Sequence, residues 1–144
     1  GRAEKPGRVI IQTEFASQSL LKKLIDEGYS AFAKEILKER HVQQLPPYQF
    51  HALIRAEANT AELAQNFLES ILNEETYTAT IDLLGPIPAL MEKKAGKFRY
   101  LIIFAAKDRN SLRKELSKRI ALAEQSKLTK KVRWSVDVDP VDLF

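Results

Sequence analysis

The chain has 144 residues, 44% hydrophobic and 29% charged, with 23 Lys and Arg against 19 Asp and Glu and a net charge of +4; that is one domain, or one domain plus a fragment of another. No apolar run is long enough to span a bilayer and no secretory signal is present, so a membrane partner is not expected. With no cysteine, disulfides and thiolate metal sites are excluded, and a cytoplasmic location is expected.

The first residue is Gly rather than Met, so the chain reads as part of something longer. Residues 1–8, with two glycines and a proline, read as a loop entering a short strand, Val9-Ile10-Ile11-Gln12-Thr13. Residues 1–16 are expected to be the tail end of a preceding domain, because a lone strand has no partner here. Residues 17–28 predict a helix with Ser17 as N-cap, an apolar stripe of Leu20, Leu21, Leu24 and Ile25, and Gly28 at the C-terminal αL position. Residues 29–41 repeat the pattern with Tyr29, Phe32, Ile36 and Leu37, so 17–47 is expected to be a helical hairpin hinged near Gly28. Its lysines are offset by acids and read as a solvated face.

Leu45-Pro46-Pro47-Tyr48 stops any helix. Residues 48–57 then predict a strand, with Tyr48, Phe50, Ala52, Ile54 and Ala56 on one face and Gln49, His51, Arg55 and Glu57 on the other. Asn59 and Glu62 have capping-box spacing for a helix to about Leu72. A second strand is expected over 77–84 and a third over 98–106. Between them lie the breaker Gly85-Pro86-Ile87-Pro88 and a basic loop, 91–97. Apolar residues on both faces of the third strand predict that its middle is covered on both sides. Asp108 or Asn110 caps a helix over roughly 109–125, with Leu112, Leu116, Ile120 and Ala123 in one stripe and Arg109 and Arg113 bordering it. The last strand, 132–139, alternates Val132, Trp134, Val136 and Val138 inward with Arg133, Ser135, Asp137 and Asp139 outward.

From residue 48 the order is strand, helix, strand, strand, helix, strand. The fold class is therefore α+β: a split βαβ (βαββαβ) open sheet with two helices on one face over 48–144, preceded by the helical hairpin. The hairpin would cover part of the other face or bridge to a further domain.

Charge is unevenly placed. Residues 93–133 carry 14 Lys and Arg and three acids, while the rest carries nine against 16. A block that basic beside an acidic remainder points to an anionic partner, with nucleic acid favoured over a merely solvated face. Lys93, Lys94, Lys97 and Arg99 are the first candidates for phosphate contact, and Lys127, Lys130, Lys131 and Arg133 form a second run. The last strand is expected close to the first, which leaves the two runs free to occupy different surfaces. Phe98 and Tyr100 read as core residues in preference to base-stacking ones. No phosphate-cradling glycine motif, metal spacing or nucleophile–base pair is present, so neither an independent active site nor a cofactor is expected.

Four segments carry a resemblance: GRAEKPGRVIIQT at 1–13, YSAFAKEILKERHVQQLPPY at 29–48, LLGPIPALMEKKAGKFRY at 83–100 and VRWSVDVDP at 132–140. Together they resemble the C-terminal end of the primosomal protein N′ family of bacterial replication-restart helicases. The resemblance implies that Arg2 matches the last arginine of a helicase motif, and that this fragment lacks the nucleotide-binding lobe and zinc-binding cysteines of an intact ATP-dependent DNA helicase. It implies a C-terminal domain that binds forked or single-stranded DNA, packs with the helicase lobes and takes the acidic tail of single-stranded DNA-binding protein. Arg109 matches the family's arginine for that tail; Arg113 stands where the family has Gln. Two other readings remain: a brace for the helicase lobes without DNA contact, and an RNA-binding module.

Overall fold

A computed structural model describes residues 7, 9–72 and 80–141, which fall into two compact units, 1–43 and 44–144. Arg2 and the start of the expected second strand, 77–79, lie outside the described residues. Residues 9–13 form no strand, and Val9, Ile10 and Ile11 are exposed. A β-prone run without a neighbouring ladder has nothing to pair with.

The first unit holds α1 (Ser19–Glu27) and α2 (Tyr29–Val42). The helix starts one residue later than the Ser17 cap predicts: Gln18 is the N-cap and makes no side-chain capping bond. Gly28 joins the helices with φ 82° and ψ 178°, outside the αL region expected of it. Lys23 Nζ donates to Glu35 Oε2 across the hairpin at 3.0 Å, and Lys38 approaches the same carboxylate at 3.6 Å. That hydrogen bond holds Glu35 below the usual carboxylate range and raises Lys23.

The second unit contains β1 (Phe50–Ala58), α3 (Ala61–Ser70), β2 (Ile81–Lys94), β3 (Lys97–Ala106), α4 (Arg109–Gln125) and β4 (Arg133–Val138). The sheet order is β2-β3-β1-β4 with every neighbouring pair antiparallel. This is the split βαβ arrangement expected from the element order. Period-2 alternation decides the faces. Ala52, Ile54, Ala56 and Ala58 of β1 join Tyr100, Ile102, Phe104 and Ala106 of β3 beneath both helices, where Phe67, Leu68, Leu112 and Leu116 meet them. Small alanines along β1 let α3 and α4 sit close to the sheet. The opposite face carries a smaller cluster of Leu53, Leu101, Ile103 and Ala89, with Ile87 packed against it. The middle of β3 is thus buried on both faces, as its composition predicts.

Two local expectations shift. Thr60, not Asn59, caps α3, its Oγ1 accepting from the Leu63 amide at 3.2 Å. The region read as a breaker and basic loop is instead one long edge strand, β2, paired with β3 in a hairpin closed at Ala95-Gly96. Both turn residues have positive φ, 49° and 78°, as a two-residue hairpin turn with the twist of its strands requires. Pro86 and Pro88 are tolerated because β2 is an edge strand and the register shifts beside them. Gly85 has φ 124°, and a Cβ there would lie 2.6 Å from the Leu101 carbonyl oxygen. Gly85→Ala is therefore expected to cost about 1–3 kcal/mol, read as a lower urea midpoint at unchanged slope; an unshifted midpoint would show that the strand can bend away.

Helix α4 is capped by Asp108, whose Oδ1 accepts from the Ser111 amide at 2.9 Å. Bonding to Ser111 holds the Asp108 carboxyl below its usual range. Besides Leu112, Leu116 and Ala123, α4 buries Glu115 and Arg119. Arg119 donates through Nε and Nη2 to Glu115 and through Nη1 to the Ile71 carbonyl at the end of α3 (3.0 Å).

Candidate nucleic-acid interface

The register brings the two basic runs together. Strands β3 and β4 flank β1 and both run antiparallel to it, so their first residues lie at the end where β1 finishes. Glu57, near that end, has Arg99 opposite on one side and Arg133 on the other. A depression of about 370 Å³ opens there, lined by Glu57, Lys97, Lys130, Lys131, Val132 and Arg133. The topology leaves the runs free to occupy different surfaces, and this depression takes Lys97 from the first run and Lys130, Lys131 and Arg133 from the second.

The remaining candidates sit around this end. Lys93 and Lys94 end β2 across the turn, Lys94 pairing in register with Lys97. Lys93 Nζ stands 4.7 Å from the Phe98 ring centroid, and Lys97 donates to the Asn59 side chain. Among the described residues, Lys93, Lys94, Lys127, Lys130, Lys131 and Arg133 form no ion pair. Lys127 is exposed on the connection from α4 to β4 but does not line the depression. Arg99 is turned elsewhere: its Nε donates to Glu57 Oε1 at 3.1 Å, and it borders a second depression with Arg55 and Asp137.

Among the described residues, the aromatic side chains at this end of the sheet pack inward. Tyr100 is buried and Phe98 packs against the core; Trp134 tilts against Phe67 at 6.1 Å. Tyr100 donates to Glu92 Oε1 at 2.8 Å, and that bond raises its pKa. The open face carries ion pairs instead, Arg55–Asp137 at 2.6 Å and Arg99–Glu57 at 3.1 Å. Such a surface offers charge to phosphates and no platform for bases.

Toward the opposite end of the sheet, Arg109 and Arg113 border an apolar groove of about 490 Å³ floored by Leu112, Leu116, Ile120, Val136 and Val138. The Arg109 guanidinium lies 4.6 Å from the Phe50 ring centroid and donates through Nη1 to Asp139 Oδ2 at 2.8 Å. Asp137 and Asp139 are thus each held by an arginine. The sequence reading missed Glu57, an acid inside the basic depression, and the buried Glu115–Arg119 pair. The first was visible as a charged residue on the outward face of β1; the second only as a Glu and an Arg four apart on a helix.

The sequence matches the model of the primosomal protein N C-terminal domain over residues 41–141. It is 41% identical over 147 residues to the replication restart protein PriA of Haemophilus influenzae, covering 99% of this chain and 20% of that protein. It is 30% identical to the replication restart protein PriA of Chlamydia trachomatis, covering 100% of this chain and 19% of that protein. With that of Bacillus subtilis it shares 29% identity, with 97% and 18% covered. The chain spans about a fifth of the length of these relatives.

Proposed function

The chain belongs to the primosomal protein N C-terminal domain family, and from that premise we propose that it is the DNA-binding and protein-recruiting accessory domain of a replication-restart helicase. The observation that carries the reading is the gathering of Lys97, Lys130, Lys131 and Arg133, drawn from two separate runs, into one depression beside the exposed Lys93 and Lys94. Point charges in one concave patch suit the phosphate backbone. The inward packing of Tyr100, Phe98 and Trp134, the first buried and the others partly so, supports backbone and shape recognition at a fork or duplex in preference to base stacking. In this reading the domain contributes binding to the helicase it would serve.

A second site supports the recruiting part. The groove between α4 and β4 offers apolar floor and two guanidinium groups, which suits an acidic peptide ending in an aromatic residue, as in the tail of single-stranded DNA-binding protein. Titrating this chain with forked DNA, matched RNA and that peptide tests the reading. The expected result is salt-sensitive fork binding, weaker binding to RNA, and peptide binding reduced at least about fivefold by Arg113→Ala. Absence of DNA binding at low salt favours a brace for the helicase lobes, and equal or tighter RNA binding favours an RNA module; either result overturns the proposal.

A further inference from the structure

The tip of the β2–β3 hairpin carries a feature that phosphate contact does not use. Between the paired positions Pro88 and Lys93, β2 carries four residues, whereas β3 carries only Arg99 between the partners Tyr100 and Phe98. The extra residues bulge out of the ladder, and a bulge re-aims the side chains it carries. Two of them are large and apolar: Leu90 is 85% exposed and Met91 55% exposed. Edge bulges on soluble domains normally carry charge or proline, because exposed apolar residues there invite association. Here the apolar pair lies two to four residues before Lys93 and Lys94, and the hairpin returns through Lys97.

We propose that Leu90 and Met91 form a wedge that inserts between bases at a duplex junction while Lys93, Lys94 and Lys97 hold the flanking phosphates. This rests on the DNA-binding reading above and assigns a separate task to the apolar pair. The surrounding charge selects the occupant. An apolar patch fringed by lysines matches an anionic partner with an apolar interior, which is what a base stack behind its phosphates presents. Leu and Met are among the side chains that unstack base steps in this way, and insertion costs a few kcal/mol per step that added phosphate contacts offset. The bulge holds the pair clear of the sheet, so both side chains can enter a stack without disturbing the core cluster around Ile102 and Phe104.

The test uses this chain and a forked DNA with 2-aminopurine at the branch point. Saturating wild-type protein is expected to raise the fluorescence as the base unstacks. The double variant Leu90→Ser, Met91→Ser is expected to lower that rise at least about threefold while changing affinity less than about threefold. Lys93→Gln with Lys94→Gln is expected to do the reverse, weakening binding but leaving the rise at saturation. A rise unchanged in the double serine variant, or none in wild type at saturation, overturns the wedge and leaves DNA binding standing. Failure of wild type to bind the fork at all overturns both.

Discussion

Arg119→Ala is expected to lower the unfolding free energy by about 3–5 kcal/mol, a large share of what a domain of this size has. Glu115 and Arg119 are only 4% and 2% exposed, so neither charge is relieved by water. Removing the guanidinium leaves a carboxylate buried without its partner. It also frees the Ile71 carbonyl that Arg119 Nη1 holds at the end of α3, which adds an unmade hydrogen bond. Through this bond the pair ties α4 to the end of α3, the two helices that cover the sheet. Urea unfolding followed by circular dichroism measures the loss. The double variant Glu115→Leu, Arg119→Met is expected to recover most of it, because two apolar residues of similar size need no partner. A loss below about 1 kcal/mol in the single variant would mean that solvent reaches the pair.

Replacing Lys97, Lys130 and Lys131 together by Gln is expected to weaken fork binding about 500-fold at about 0.1 M salt, counted from equal affinity at about 1 M. The magnitude follows from counterion release: each phosphate neutralised contributes a slope of about 0.9 in log affinity against log salt, so three contacts are worth about 2.7. All three lysines border one depression, and all three are exposed, so their replacement touches no core residue. Lys97 also bonds Asn59, and Gln retains a donor there. Isothermal titration at several salt concentrations gives both numbers. A loss below about threefold would remove the depression from the binding surface.

Much of the scaffold can be read from the residues. The alternation in β4 and β1, the Asp108 cap and the apolar stripe of α4 each specify an element by period or by capping chemistry. Arg109, at the border of that stripe, stacks on Phe50. What escaped the sequence has physical causes. Two prolines in four residues read as a break, yet an edge strand with register shifts accepts both, so β2 runs on to Lys94. Buried charge at Glu115 and Arg119 depends on the distance to the Ile71 carbonyl, which no periodicity encodes. The meeting of the two basic runs depends on strand direction. Once β3 and β4 both run opposite to β1, their basic first residues share one end of the sheet, a consequence of the expected topology that charge counting along the chain does not reveal.

Position, and not total charge, is expected to govern DNA binding. A charge-matched comparison decides it. Lys22, Lys34 and Lys38 are exposed on the helical hairpin, and replacing them by Gln removes the same three charges as replacing Lys97, Lys130 and Lys131. The measurement is the slope of log affinity for forked DNA against log salt in the two variants. The slope is predicted to flatten by about two to three in the sheet-end variant and by less than about one in the hairpin variant. Equal flattening in both would contradict a localised phosphate site.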